Sequence, residues 1–124
     1  MNKTLVIIED DKDLSQLYKE LIEYESSFQV ELILDGQEAL DKLEGLNPDA
    51  IMLDLHLPHV SGLDILNYIR ENEILHDTPV VVASADMEGL EIAAIKANKV
   101  FMKPISLEHI GNIVDTFKAL IGDS

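Results

Sequence analysis

Polar side chains suited to phosphoryl chemistry follow several apolar segments of this sequence. They are Glu9 and Asp10 after the first apolar segment, Asp54 after a central one, Ser84 after a later one and Lys103 after the last. Carboxylates held close together repel one another unless a cation neutralises them, and Mg²⁺ does so through oxygen ligands that it shares with a phosphate. Phosphoryl transfer asks a protein mainly for positioning and cationic stabilisation. If the fold gathers these residues, they form a magnesium site with Asp54 as the central nucleophile.

Each of these residues also has a simpler interpretation. Glu9 and Asp10 could be solvated acids at the start of a helix, where negative charge is favourable. Asp54 could begin a turn, and Ser84 could cap the helix that follows it. Lys103 could be a surface lysine in front of a turn proline. The joint pattern favours the chemical interpretation, because every relevant segment ends in a residue type that phosphoryl transfer needs.

The elements that must position these residues are short apolar strands in alternation with amphipathic helices. Apolar runs bounded by polar residues, glycine or proline predict strands at residues 4–8, 30–34, 50–54, 79–83 and 99–102. Apolar residues at helical spacing predict a helix after each strand, the first with Asp11 as its N-cap. The predicted helices carry the apolar sets Leu14, Leu17, Tyr18, Leu21 and Ile22; Ala39, Leu40 and Leu43; Leu63, Leu66 and Ile69; Met87, Leu90 and Ala94; and Leu107, Ile110, Val114, Phe117 and Ile121.

This alternation predicts an α/β fold with one parallel sheet, because right-handed βαβ crossovers keep successive strands parallel. The common strand order for five such units is 2-1-3-4-5, that of the flavodoxin-like three-layer sandwich. That order places a ligand crevice at the carboxyl ends of strands 1 and 3. The chain of 124 residues fits one domain, 1–124, in which residues 122–124 form a short tail.

Composition and charge argue against several classes of protein. Nine Lys and Arg against 24 Asp and Glu give a formal net charge of -15, which argues against direct nucleic-acid binding. The same charge favours cations and basic partner surfaces. Because the chain has no cysteine, it has neither disulfides nor thiolate metal sites. Neither a signal peptide nor a membrane-spanning apolar run occurs, so we expect a cytoplasmic protein without membrane attachment.

Short motifs follow one another in a fixed order along essentially the whole chain. They are IIEDD at 7–11, DGQEAL at 35–40, PDAIMLDLHLP at 48–58, Gly62, PVVVASA at 79–85 and Lys103-Pro104. In this order and spacing, the sequence resembles the receiver domain of two-component response regulators. Each motif is short and weakly specific by itself, whereas their ordered combination is highly specific.

The resemblance implies a role for each acid of the candidate site. Asp54 would be the phosphoacceptor, which attacks the phosphoryl group of a partner's phosphohistidine. Asp10, Asp54 and the backbone carbonyl of His56 would bind Mg²⁺, or Mn²⁺ in its place. Glu9 would act through a metal-bound water. We expect the carbonyl of His56 rather than its imidazole to be the ligand, because Mg²⁺ favours oxygen.

The same resemblance places Lys103 and Ser84 beside the phosphoryl group. Lys103 would pair with the phosphoryl oxygens. Its peptide bond to Pro104 would be cis, an isomer that only proline makes inexpensive. Ser84 would turn to form a hydrogen bond with the phosphorylated aspartate.

The main departure from the family pattern is at Val100. This residue stands three positions before Lys103, where receivers usually carry an aromatic residue whose rotation reports phosphorylation. Phe101 is adjacent, but on a strand it should point to the opposite face. The resemblance therefore does not extend to an aromatic switch coupled to Ser84.

The main hypothesis is a phosphorylation-dependent signalling switch. A histidine kinase or histidine phosphotransfer protein would donate the phosphoryl group to Asp54 in a Mg²⁺-dependent reaction, and the new charge would bias the binding of a downstream protein target. By the resemblance, the output face is formed by helix 4, strand 5 and helix 5. Such a receiver is not an enzyme with a separate substrate, since it promotes only its own phosphorylation and dephosphorylation. It is either a stand-alone regulator or one domain of a longer regulator or hybrid kinase.

Two other functions are compatible with this fold. A receiver-like interaction module that is not phosphorylated would bind neither Mg²⁺ nor phosphate, and the intact acids, Ser84 and Lys103 argue against it. An aspartyl-phosphate phosphatase would usually carry a second acid two residues after the nucleophile, where this chain has His56. Nucleotide binding has less support still, because neither G-x-x-x-x-G-K-[ST] nor G-x-G-x-x-G occurs.

Overall fold

The computed structural model describes residues 2–122, in which five strands alternate with five helices. The strands are β1 (Thr4–Ile8), β2 (Gln29–Ile33), β3 (Ala50–Asp54), β4 (Val80–Ser84) and β5 (Lys99–Met102). The helices are α1 (Lys12–Glu25), α2 (Gly36–Leu46), α3 (Gly62–Glu71), α4 (Met87–Ala93) and α5 (Leu107–Ile121). Residues 123 and 124 of the predicted tail lie outside the described residues. Within residues 2–122, no helix is both long and apolar enough to span a membrane.

All five strands pair in parallel in the order β2-β1-β3-β4-β5, which confirms the predicted topology. β1 therefore lies between β2 and β3. Ile8 is opposite Leu53, and Asp54 is opposite Ala83. The residues that follow β1 consequently lie beside the end of β3, at the point where an open α/β sheet forms its ligand crevice.

Helices cover both faces of the sheet, so the fold is the predicted flavodoxin-like three-layer sandwich. Helices α2, α3 and α4 pack on one face, and α1 and α5 pack on the other. Successive strand residues point to opposite faces, so Ile7 joins the core under α1 and α5 while Ile8 joins the core under α2, α3 and α4. The central strands are buried on both sides, which explains their continuous apolar runs.

Each helix begins at a capping side chain near the carboxyl edge of the sheet. The caps Asp11, Asp35, Ser61, Asp86 and Ser106 each accept a hydrogen bond from a backbone N–H in the first turn of their helix. The predicted cap at Asp11 is thereby confirmed, and such a cap contributes about 1 kcal/mol. Because every helix starts where a parallel strand has just ended, the positive ends of the helix dipoles face this edge.

Strand β2 differs from its prediction at the carboxyl end. The alternating pattern extended the strand to Leu34, but β2 ends at Ile33. The N–H of Leu34 donates to Glu38 Oε1 at 3.1 Å. Because this donor bonds to the first turn of α2, it is not part of the strand ladder.

Four apolar residues that were predicted to face the core are exposed instead, namely Leu17, Met87, Ala94 and Leu107. Ala94 follows the last residue of α4. Leu17 is 48 %, Met87 62 % and Leu107 73 % exposed. Met87 and Leu107 are the first residues of α4 and α5, so they lie at the helix ends rather than against the sheet. In α1 the buried stripe contains Tyr18 and Ile22. Apolar spacing thus overestimated the width of the buried stripe, because it carries no information about where the neighbouring layer stops.

The guanidinium of Arg70 joins three segments at the amino edge of the sheet. Its Nε donates to the carbonyl of Lys96 at 2.8 Å, and Nη1 donates to the carbonyls of Thr78 and His76 at 2.6 and 3.2 Å. Its Nη2 donates to Asn98 Oδ1 at 3.1 Å. One side chain therefore ties the end of α3 to the loops that precede β4 and β5.

We expect Arg70→Met to lower the free energy of unfolding by about 2–3 kcal/mol, because several acceptors lose a charged donor. Arg70→Lys should recover only part of this loss, since an ammonium lacks the planar fork of a guanidinium. Lys12→Met, at an exposed position in α1, serves as the control and should change stability by less than about 0.5 kcal/mol. Urea unfolding measures all three variants. Equal losses for Arg70→Met and Lys12→Met would contradict this role of Arg70.

Candidate functional site

The carboxyl edge of the sheet brings Glu9, Asp10 and Asp54 together. Asp54 is the last residue of β3, and Glu9 and Asp10 directly follow the neighbouring strand β1. The N–H of Glu9 donates to the carbonyl of Ile33 at 3.0 Å, which extends the pairing of β1 with β2 by one residue. One oxygen from each of the three carboxylates lies within 4.8 Å of the other two. The cluster has the donor type and spacing to hold a small divalent cation.

The ammonium of Lys103 lies against two of these carboxylates. Its Nζ donates a hydrogen bond to Glu9 Oε1 and lies 3.6 Å from Asp54 Oδ2. The backbone N–H of Lys103 donates to the carbonyl of Ser84 at 2.9 Å, so the end of β4 holds this residue at the edge. The peptide bond between Lys103 and Pro104 is cis, as the family resemblance implied. One ammonium against three carboxylates leaves an excess of negative charge at the site.

Burial makes this charge costly, and the pKa values of Glu9 and Lys103 are both raised. Glu9 is 3 % and Asp54 7 % exposed, whereas Asp10 is exposed. Burial raises the pKa of Glu9; the hydrogen bond from Lys103 opposes the shift and the charge of Asp54 reinforces it. Burial also acts to lower the pKa of Lys103, but the hydrogen bond to Glu9 and the charge of Asp54 outweigh burial and raise it. A divalent cation would relieve the remaining repulsion between carboxylates.

Backbone donors orient the two buried carboxylates. The N–H of His56 donates to Asp54 Oδ1 at 3.3 Å, and the N–H of Asp11 donates to Glu9 Oε2 at 3.3 Å. The first of these bonds reaches two residues along the chain, so Asp54 also starts a turn, as its simpler interpretation held. The imidazole of His56 lies 3.7 Å from Asp86. In the part of the chain that the structure describes, the candidate metal cluster consists of carboxylates only.

Ser84 lies at the same edge as the last residue of β4 and is fully buried. Its Oγ accepts a hydrogen bond from the N–H of Asp86 at 3.2 Å. No hydrogen bond joins Ser84 to Asp54 among residues 2–122. The alternative that Ser84 caps the following helix is wrong, because Asp86 is the N-cap of α4.

The side chains of Val100 and Phe101 point to opposite faces of β5, as predicted. Val100 packs against the core under α2, α3 and α4, and Phe101 belongs to the core under α1 and α5. The ring of Phe101 lies 5.5 Å from that of His109, measured between centroids. The α4 side of β5 therefore carries Val100 at this position rather than an aromatic residue.

Sequence reasoning assigned Tyr18 only to the core and Gly62 only to a motif. Tyr18 lines a cavity of about 10 Å³ together with Glu9, Asp54 and Lys103. The sequence does contain a sign of this role of Tyr18, because it places a phenol among aliphatic residues on the inward side of a helix that begins at the site. At Gly62, an added Cβ would lie 2.2 Å from the carbonyl oxygen of Asp54, so the start of α3 packs directly on Asp54.

The fold and this edge define a flavodoxin-like α/β domain with a candidate divalent-metal site opposite a lysine. Residues 5–115 match the family model described as the response regulator receiver domain. The chain therefore belongs to the receiver domain family of two-component response regulators. Members of this family are signalling switches rather than classical enzymes.

Individual relatives agree with this assignment over the whole chain. The polar-differentiation response regulator DivK of Brucella ovis is 32 % identical over 129 aligned residues, which cover 100 % of both chains. The structure of the Francisella response regulator 1452 receiver domain is 27 % identical, covers 96 % of this chain and 99 % of that one, and has a TM-score of 0.83. A CheY-like receiver domain from Methylobacillus flagellatus is 25 % identical, covers 94 % and 99 % of the two chains, and also has a TM-score of 0.83. The sheet order and the helix layers are thus those of solved receiver domains.

Proposed function

We propose that residues 1–124 form one receiver domain in which Asp54 accepts a phosphoryl group from the phosphohistidine of a histidine kinase or histidine phosphotransfer protein. The reaction requires Mg²⁺ and changes the binding of a downstream protein. The observation that carries the proposal is the grouping of Glu9, Asp10 and Asp54, with one oxygen of each within 4.8 Å of the others, against the ammonium of Lys103. A divalent cation would neutralise such a cluster, which with the ion bound suits a phosphoryl group.

The oxygen donors at the edge fit Mg²⁺, and Mn²⁺ accepts the same ligand types. The carboxylates of Asp10 and Asp54 and the backbone carbonyl of His56 would hold the ion, and Glu9 would act through a water. When bound, the ion neutralises the carboxylates and the charge that develops on the phosphoryl oxygens. Because Asp10 is exposed while Glu9 and Asp54 are buried, the ion would enter the site from the side of Asp10.

Asp54 is the nucleophile in this proposal. One of its carboxylate oxygens forms a bond to phosphorus while the P–N bond of the phosphohistidine breaks, and the bonding electron pair leaves on the imidazole nitrogen, which takes up a proton. The N–H of His56 holds the carboxylate in place at 3.3 Å. The ammonium of Lys103 lies 3.6 Å from Asp54 Oδ2. During the reaction it moves its hydrogen bond from Glu9 to the phosphoryl oxygens and stabilises their charge.

Ser84 connects the acceptor to the surface of α4, β5 and α5. Its Oγ accepts a hydrogen bond from Asp86, so its O–H remains able to donate to a phosphoryl oxygen. Asp86 caps α4, and a shift of Ser84 toward the phosphoryl group would therefore act on the start of α4. A partner would find exposed apolar side chains on or next to these elements, namely Met87, Ile92, Ile95, Met102 and Leu107. The net charge of -15 favours protein partners with basic surfaces over nucleic acid.

Incubation with acetyl phosphate and Mg²⁺ tests this function. We expect the uptake of about one phosphoryl group per chain and no uptake in the presence of EDTA. After reduction of the acyl phosphate with borohydride, peptide mapping should place the modification at Asp54. Asp10→Asn keeps the nucleophile but loses a metal ligand, so half-maximal uptake should require at least about tenfold more Mg²⁺. Absence of uptake, or a label on another residue, would refute the proposal. Continuous phosphate release from monoesters would indicate a phosphatase instead.

A further inference from the structure

Tyr18 lies beside the site and has no role in the function proposed above. Its side chain is 4 % exposed. Within residues 2–122, the hydroxyl of Tyr18 makes no hydrogen bond to another protein group. A buried phenol normally finds a hydrogen-bond partner, because an unpaired polar group is costly inside a protein. The partner of this hydroxyl must therefore lie in the space that the side chain lines.

Helix α1 directs the side chain of Tyr18 toward the acceptor. The helix begins at Lys12, at the carboxyl edge of the sheet, and long helical side chains lean toward the N-terminus of their own helix. The ring belongs to the core that α1 and α5 form on one face of the sheet. Its polar end consequently extends from this core toward the carboxylates of Glu9, which follows β1, and Asp54, the last residue of β3.

A small cavity separates these groups. Its volume is about 10 Å³, and its polar lining consists of Glu9, Tyr18, Asp54 and Lys103. The remaining lining comes from apolar residues of β1, β3 and β4. A volume of this size is at the lower limit of what one water needs, and a buried water also requires polar partners. Four residues with polar side chains line the cavity.

The protonation states around the cavity suit such a water. Burial raises the pKa of Tyr18; Lys103 opposes the shift, and Glu9 and Asp54 reinforce it, so the phenol keeps its proton at neutral pH. A neutral hydroxyl both donates and accepts a hydrogen bond. The ammonium of Lys103 has three donors, of which Glu9 accepts one. A donor of Lys103 is thus available for a water that the Tyr18 hydroxyl also holds.

We propose that Tyr18 is a positioning residue for phosphoryl transfer: its hydroxyl holds a water in this cavity, and the water draws the Lys103 ammonium toward Asp54. This inference rests on the proposed function, because transfer to Asp54 is the reaction that Lys103 assists. Without the hydroxyl, the ammonium pairs with Glu9 alone and stabilises the phosphoryl oxygens less well. The loss then falls on the transfer step rather than on the binding of Mg²⁺ or donor.

Tyr18→Phe tests the kinetic consequence, with Tyr24→Phe as the matched control. Tyr24 lies on the same helix and is 81 % exposed. At saturating acetyl phosphate and Mg²⁺, Tyr18→Phe should slow phosphoryl uptake by about 3- to 10-fold, with unchanged half-saturating concentrations of both. Tyr24→Phe should leave the rate unchanged. A Tyr18→Phe variant with the rate of the unsubstituted protein would overturn the inference.

Thermal unfolding tests the same contact without any phosphate. Tyr18→Phe should lower the midpoint by about 2–4 °C, and this loss should nearly disappear in a Lys103→Met background. A raised midpoint would show that the hydroxyl has no partner, and equal losses in both backgrounds would show an effect of packing alone; either outcome overturns the inference. The unsubstituted protein could take up no phosphate while the unfolding midpoints change as expected. In that case the proposed function fails and the placement of Lys103 by Tyr18 stands.

Discussion

Asp54→Asn should abolish phosphoryl uptake from acetyl phosphate, with a loss of at least about 10³-fold. The amide has nearly the same shape as the carboxylate but lacks the negative oxygen that attacks phosphorus in the proposed reaction. The side chain is 8 % exposed and accepts a hydrogen bond from the N–H of His56, an interaction that the amide oxygen preserves. The variant should therefore remain folded and fail specifically in the reaction. Phosphate incorporation at pH 7 with excess Mg²⁺ measures the effect.

The control for this variant is Asp77→Asn. The side chain of Asp77 is 92 % exposed, in the segment between α3 and β4. The same change of charge at this position should leave the rate of uptake unchanged. Uptake that persists in Asp54→Asn would mean that another residue is the acceptor, whereas equal losses in both variants would mean that net charge rather than the nucleophile controls the reaction.

Gly62→Ala should lower the free energy of unfolding by about 3 kcal/mol and slow phosphoryl uptake by about 10- to 100-fold. The added Cβ would lie 2.2 Å from the carbonyl oxygen of Asp54 and 2.5 Å from the Cα of Leu55. These are backbone atoms, and the N–H of Gly62 also donates to the carbonyl of Leu55 at 2.9 Å. Relief of the clash must therefore displace the end of β3 and, with it, the carboxylate of Asp54. Urea unfolding and the initial rate of uptake measure the two effects.

Gly111→Ala provides the opposite case for the same substitution. A Cβ at Gly111, within α5, would meet no atom within 4 Å. Alanine should therefore raise the free energy of unfolding by about 0.5–1 kcal/mol through its better helix propensity. If Gly62→Ala also proved neutral or stabilising, the close contact between the start of α3 and Asp54 would be contradicted.

The succession of strands and helices along the chain could be predicted because it depends on local patterns. The run before Asp54 is apolar on both faces since β3 lies in the middle of the sheet, and a buried parallel strand needs no polar alternation. Asp11 could be recognised as a cap because its side chain bonds a backbone group only three residues away. The pattern was wrong at Leu34, because the N–H of this residue bonds to the side chain of Glu38 in α2 and is not part of the strand ladder.

Local patterns along the chain were enough to predict which residue types stand at the strand ends, and hence that Glu9, Asp10, Asp54 and Lys103 would share one edge of a parallel sheet. Which of these side chains contact one another, in contrast, followed from the packing of the three layers. Lys103 bonds to Glu9 across 94 positions of the chain, Tyr18 closes the cavity behind them, and Gly62 packs on the backbone of Asp54. The physical reason is that apolar periodicity specifies which face of an element is buried. Distances between side chains from different elements depend instead on strand register, helix placement and rotamers, which are settled only when the layers pack.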